Sequence, residues 1–173
     1  MDLWWPFLFI AGAVALMLAP IMTLQPNKRQ EELIVLRQAA SQLGIRIHLD
    51  NSNRKKTAIA IYSLAWPTAV KIDHWCLKQQ NFSHDLHFLG FWHWDDDNRP
   101  PESWLLSLKD ILKSLPPDIT GLEGTTGSLG FFWLEKKYQT TLATIEILLK
   151  QSQEMLLKST VCSATDIKLE PRN

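Results

Sequence analysis

The side chains best suited to chemistry gather between His74 and Asp97: His74, His84, His87 and His93, then Asp95, Asp96 and Asp97. Imidazoles beside carboxylates are the donor set of divalent-metal sites and of acid–base pairs. The spacing speaks against a single ion. If residues 86–94 form a strand, His87 and His93 share a face but stand about 20 Å apart at roughly 3.3 Å per residue. His84 and His87 would be neighbours only on a helix, and Phe82-Ser83 with its polar flanks does not read as one. No H-E-x-x-H occurs, and the three aspartates lack the alternating acids, central Gly and closing Glu of a calcium loop. These residues are expected on a polar strand face and a solvated turn, so no metal or cofactor is predicted. An enzyme or metal site in residues 74–97 stands as the alternative function.

Two further features invite chemical readings. His74 and Cys76 would share a strand face about 7 Å apart, a conceivable thiolate pair, but no G-x-S-x-G or C-x-x-C accompanies them. The stretch GLEGTTGSLG sets Gly121, Gly124, Gly127 and Gly130 at every third position. Phosphate-cradling loops open a helix and often carry a Lys; a strand follows here. A flexible connection that meets a partner is the expected use.

Whatever holds these groups sits behind a long apolar segment. Residues 3–24 contain no charge, and as a helix they would span about 33 Å at 1.5 Å per residue, close to a hydrocarbon core of about 30 Å. Trp4 and Trp5 suit the headgroup layer. An acidic start and a Pro after Leu18-Ala19 do not suit a cleaved signal, so residues 1–25 are expected to be a transmembrane anchor in the bilayer. Lys28, Arg29 and Arg37 follow it, which places the domain on the cytoplasmic side by charge bias. Ala11, Ala15 and Ala19 share one helix face beside Gly12, a seam through which two anchors can form a homo-oligomer.

After the anchor, Pro26 opens an amphipathic stalk helix over 26–44, with Leu33, Leu36, Ala40 and Leu43 on one side and Gly44 as its stop. Strands are expected at 45–49, 57–66, 70–78 and 86–94, a helix from Pro101 to Leu115, a short strand at 129–134 and a helix at 137–158. Arg54, Lys55 and Lys56 form the tip of the first hairpin. Residues 159–173 read as a disordered tail. The fold class is α+β: behind the anchor and stalk, an antiparallel sheet packed with two helices over residues 45–158.

The 173 residues carry 18 basic and 18 acidic side chains, a balance that offers nucleic acid no basic footprint. Two cysteines, Cys76 and Cys162, are too few for a disulfide scaffold and fit a reducing compartment. Eight tryptophans are many, and six lie beyond the anchor segment, where they fill a core or form a contact surface. Phe91, Trp92 and Trp94, with Gly124 and Gly127 at the edge, are the residues expected to bind a partner.

The order of apolar segment, Pro26, Lys28-Arg29, Glu31-Glu32 and a short amphipathic helix resembles the start of the bacterial preprotein translocase accessory subunit. That family has one membrane helix followed by a compact cytoplasmic β-domain. The likeness covers about fifteen residues; the family's G-D-x-V-x-T-x-G-G signature is replaced by Gly44-Ile45-Arg46-Ile47, so its function is not carried over. The chain also resembles the short single-pass inner-membrane proteins of Gram-negative bacteria. The expected function is a non-enzymatic interaction or assembly module of the bacterial inner membrane, with another membrane or cytoplasmic protein as partner.

Overall fold

A computed structural model describes residues 27–50, 59–80, 87–136 and 140–166, with side chains to residue 160, and the isolated positions 4, 7, 10 and 12–14. Contacts divide the chain into residues 1–36 and residues 37–173. In the first unit Trp4, Phe7, Ile10 and Val14 are exposed. Among the described residues no helix is long and apolar enough to cross a membrane. Most of the apolar run, including Trp5, Ala11, Ala15 and Ala19, lies outside them, so the anchor gains no support from the structure.

Helix α1 (Lys28–Gln42) starts at the basic pair and stops where Gly44 takes φ +77°, a left-handed turn that glycine adopts at little cost. Of its expected stripe only Ala40 is buried; Leu33 and Leu36 are half-buried and Leu43 is exposed. Beyond it the chain is α+β. Strands β1 (Arg46–Asp50), β2 (Ile59–Ala65), β3 (Trp75–Gln79), β4 (Trp92–Trp94), β5 (Ile119–Gly124) and β6 (Ser128–Trp133) form one antiparallel sheet in the order β1-β2-β6-β5-β3-β4. A 3₁₀ turn (Glu102–Trp104) leads into α2 (Leu105–Ser114), and α3 (Leu142–Asp166) follows the sheet.

The register sorts the side chains into two faces, since successive residues of a strand alternate. Tyr62, Phe131, Leu122 and Leu77 are aligned across β2, β6, β5 and β3 and are fully buried. They face the layer built by Leu108, Ile111 and Leu112 of α2 and Ile145, Leu149 and Leu156 of α3. Arg37 of α1 reaches the rim of this layer, where its Nε and Nη2 donate at 2.9 and 2.7 Å to Glu135. The Tyr62 hydroxyl donates to the same carboxylate at 2.7 Å. Burial first, then the Glu135 bond, holds the Tyr62 phenol above its ordinary range. The opposite face carries a smaller cluster, Ile61, Cys76 and Phe132 with Ile59, under a layer of charged side chains.

Four expectations need correction. The aromatic strand at 86–94 is only Trp92–Trp94. Gly90, at φ +55°, turns the chain, and Leu89 bridges back to Trp92. The glycine-rich stretch is the central hairpin of the sheet: Gly121 and Gly124 lie within β5 and Gly130 within β6, joined by a turn at 125–127. Thr125 closes that turn, its hydroxyl accepting from the Gly127 and Ser128 amides at 3.2 and 3.0 Å. The third strand begins at Trp75 rather than Val70, which leaves 66–74 as irregular chain. The last helix continues through Asp166 into the segment expected to be a tail, and Thr160 in it accepts a 2.6 Å bond from the Trp104 indole.

Candidate functional site

Two regions of residues 37–173 are shaped to receive something. The first is the charged face of the sheet. His48 and Asp50 of β1, Cys76 and Lys78 of β3 and Glu123 of β5 meet His74, Asp95 and Asp96 around a pit of about 260 Å³ floored by Ile61 and Phe132. Glycine makes the pit possible: a Cβ at Gly121 would lie 2.6 Å from the Phe132 ring, and one at Gly130 would lie 3.2 Å from Glu123. One ammonium, Lys78, stands among four carboxylates, Asp50, Asp95, Asp96 and Glu123. Lys78 Nζ lies 2.7 Å from Asp95, 3.8 Å from Asp50 and 5.2 Å above the Phe132 ring centroid. His74 presents Nδ1 to Asp96 at 2.9 Å and Nε2 to Glu123 at 3.9 Å.

These environments decide what the pit can do. Burial lowers the proton affinity of Lys78, but the Asp95 hydrogen bond and charge outweigh it and leave the ammonium firmly charged. Burial raises the Glu123 carboxyl above its usual range, against the opposing pull of His74 and His48. Burial also pushes the Cys76 thiol from 9.0 up to about 12, with Lys78 only partly offsetting it. A thiol so placed is no nucleophile at neutral pH, since the thiolate is the reactive form. Among the described residues no three His, Cys, Asp or Glu side chains converge to hold a metal ion.

A measurement follows for Cys76. It should resist maleimide at neutral pH in the folded chain and react once the chain is denatured, with about a thousandfold less thiolate than an ordinary cysteine. Because the folded protein keeps this proton longer than the unfolded one, Cys76 costs no stability below pH 9. Stability should fall as pH rises from about 9 toward 12, an effect absent in Cys76→Ala. Stoichiometric labelling of folded Cys162→Ser protein within minutes would contradict this.

The second region is a groove of about 1080 Å³. One wall is the end of β2 and the irregular chain at 66–72, the other is the Lys150–Lys158 stretch of α3, and Trp104 lies at its base. Leu64, Val70, Ile72 and Leu157 make it largely apolar, and Lys71, Lys150 and Lys158 stand among its lining residues. Its walls are fixed by specific bonds. Gln153 Nε2 donates to the Leu64 and Ala65 carbonyls at 2.8 and 3.1 Å, and the Trp66 indole donates to Thr125 O at 2.8 Å. Trp66 and Trp104 pack at a 48° tilt with centroids 5.6 Å apart.

The residues singled out from sequence are distributed between these regions and the core. Trp92, 6% exposed, is interior, and Trp94 is half-buried between Trp75, Phe88 and the Arg99 guanidinium. Gly124 is buried against Trp75, and Gly127 is at the exposed hairpin tip. Phe91 alone of the five is a large exposed aromatic, at 54%. Lys28 and Arg29 are exposed at the start of α1. His74, Asp95 and Asp96 meet in the pit, while His84 and the Arg54 to Lys56 tip lie outside the described residues. His87 and His93, expected about 20 Å apart, have ring centroids 5.8 Å apart because the chain turns at Gly90. Sequence reasoning missed His48, Asp50, Lys78 and Glu123, which gather only through sheet order, and missed the groove, for which the Trp66-Pro67 turn was the available signal. Comparison of the chain with protein-family models, curated proteins and solved structures finds no match.

Proposed function

We propose that this protein is a non-enzymatic interaction module, anchored in the bacterial inner membrane by residues 1–25 with its domain on the cytoplasmic side, that receives an amphipathic segment of a partner protein in the groove beside α3. The observation that carries the reading is the groove itself: about 1080 Å³, walled by apolar side chains. Small-molecule sites usually span about 300–1,000 Å³ and converge a few polar groups on one point. Here Leu64, Val70, Ile72, Trp104 and Leu157 form an apolar trough, with charged side chains of α3 at its side already paired as Lys150–Glu146 and Lys158–Glu154, as suits the apolar stripe of a helix or extended peptide. The uncharged run at 3–24 supports the anchor. The contact surface expected at Phe91, Trp92 and Trp94 is replaced in this reading by the groove, because Trp92 is buried and Trp94 half-buried, which leaves Phe91 alone exposed. The pit supports the alternative reading less well, since burial keeps the Cys76 thiol protonated and Lys78 is held by Asp95 and Asp50.

The test is a photo-cross-linking residue at the exposed groove position Ala69, with Lys113 on α2 as control, in the full chain in native membranes. A discrete protein adduct is expected at Ala69 and not at Lys113. It should fall at least about tenfold with Leu157→Glu, a charge placed where apolar contact is needed. Adducts only to lipid, or a protein adduct indifferent to Leu157→Glu in a folded variant, would overturn the reading.

A further inference from the structure

We infer that the groove takes its partner as an added strand: an extended segment, reading apolar, acidic, apolar, basic, that pairs with the backbone of residues 69–73. The inference rests on the reading that the groove receives a partner protein, and it specifies how. Backbone pairing stops at Trp66, whose N–H donates to Gly127 O at 3.1 Å, and resumes at Trp75, opposite Gly124. Between them, residues 67–74 make no backbone-to-backbone hydrogen bond with any described residue. Yet every position from Pro67 to Ile72 lines the groove. Successive side chains of an extended chain point to opposite sides, so a run of neighbours lines a groove along its backbone edge. Burial alternates as that geometry requires: Val70 half-buried, Lys71 exposed, Ile72 buried, Asp73 exposed. Unpaired backbone beside an apolar trough is what strand addition uses, main-chain bonds giving affinity and alternate side chains specificity.

The partner's sequence follows from cross-strand geometry. Opposed residues share a face, so those opposite Val70 and Ile72 enter the trough lined by Leu64, Trp104 and Leu157 and are apolar. Those opposite Lys71 and Asp73 stand on the other face. Lys150 and Lys158 have anions of their own, Glu146 and Glu154, at 2.6 and 2.7 Å. Lys71 and Asp73 enter no ion pair among the described residues. Charge complementarity therefore sets a carboxylate opposite Lys71 and a base opposite Asp73. Lysine on an unpaired edge discourages indiscriminate pairing, and here it selects the strand that brings an acid to it. A helix in the same trough would bury apolar side chains but leave residues 67–74 unpaired, because its own backbone bonds are satisfied internally.

The test selects ligands for the full chain in detergent micelles from a display library of random peptides of about twelve residues, ample for one strand. Enriched peptides should share the alternation apolar, acidic, apolar, basic. Methylating their backbone nitrogens one at a time should weaken binding about tenfold or more at every second residue and little in between, because alternate N–H groups face the neighbouring strand. Lys71→Glu, a change at an exposed position, should weaken binding about fivefold by turning an ion pair into a like-charge pair. A peptide with lysine in place of its acid should recover that loss. Peptides with apolar residues at helical spacing, methylation effects without a two-residue period, or indifference to Lys71→Glu would each overturn the added strand. If Leu157→Glu still abolished their binding, the groove reading would stand without it. No enrichment, or peptides that bind Leu157→Glu as well as wild type, would overturn both.

Discussion

Asp118→Ala should destabilise the domain by about 3–4 kcal/mol, the largest loss expected from removing a single polar group. Asp118 is 0% exposed, just before β5. Its Oδ2 accepts the Trp133 indole N–H at 2.8 Å and its Oδ1 accepts the Thr140 hydroxyl, while its backbone carbonyl accepts Leu134 N–H at 3.0 Å. One carboxylate thus ties the start of β5, the end of β6 and the approach to α3. Truncation leaves two buried donors unsatisfied, each costing about 1–3 kcal/mol. Removing a charge-assisted acceptor forfeits more than a neutral bond. Asp118→Asn keeps one acceptor oxygen but turns an amide N–H toward a donor, so an intermediate loss is expected. Denaturant unfolding followed by far-UV circular dichroism measures both. A loss under about 1 kcal/mol for Asp118→Ala would mean that water or another side chain replaces the carboxylate.

Gly124→Val should be worse still: more than about 3 kcal/mol, or failure to fold. A Cβ there would lie 2.5 Å from Cε2 and Cζ2 of Trp75. Trp75 cannot yield, since it is fully buried and its ring meets Trp94 edge-on with centroids 6.1 Å apart. The residue is glycine because an indole crosses the strand at van der Waals distance, and conformational freedom is not the reason: no positive φ occurs at this position. Gly127→Val, three residues along, should cost under about 1 kcal/mol, because the nearest atom to its Cβ is Thr125 Oγ1 at 4.0 Å. The two variants separate the sheet from a glycine-rich loop, which would tolerate both. Comparable melting temperatures for the two proteins would rule out the packing described for Trp75.

The charged pit and the apolar groove differ in how they use the same sheet. The pit borrows side chains from five of its strands, with His74, Asp95 and Asp96 beside them, and holds its one lysine between Asp95 and Asp50. The groove exists because the chain between β2 and β3 does not pair. Gln153 caps the Leu64 and Ala65 carbonyls, and the Trp104 indole, packed against Trp66, donates to Thr160 of α3. In the proposed reading these bonds hold the trough formed before a partner arrives, which lowers the entropic cost of association.

What the sequence determines by itself is local. Alternation predicts β1 to within one residue, the stop at Gly44 follows from glycine's tolerance of positive φ, and helical recurrence predicts a stripe of Leu142, Ile145, Leu149 and Leu156 on α3, of which the last three are buried and Leu142 half-buried. The α+β class with an antiparallel sheet follows from those patterns. Strand order, and so the neighbours of each side chain, was decided by tertiary structure alone. Residues 121–130 carry glycine at every third position, a loop composition by local rules, yet they form the centre of the sheet. The reason lies in residues distant in sequence or across the hairpin: Trp75 and Phe132 place rings where a Cβ would be, and only the assembled sheet brings them there. The turn at Gly90 likewise places His87 beside His93, undoing a separation computed for a straight strand. Asp50 and Lys78, far apart in the chain, approach to 3.8 Å across the sheet. Hydrophobic period tells which face of an element is buried. It carries no information about which other element will cover that face, because burial energy follows area rather than identity, and the sites of this protein are made of those second choices.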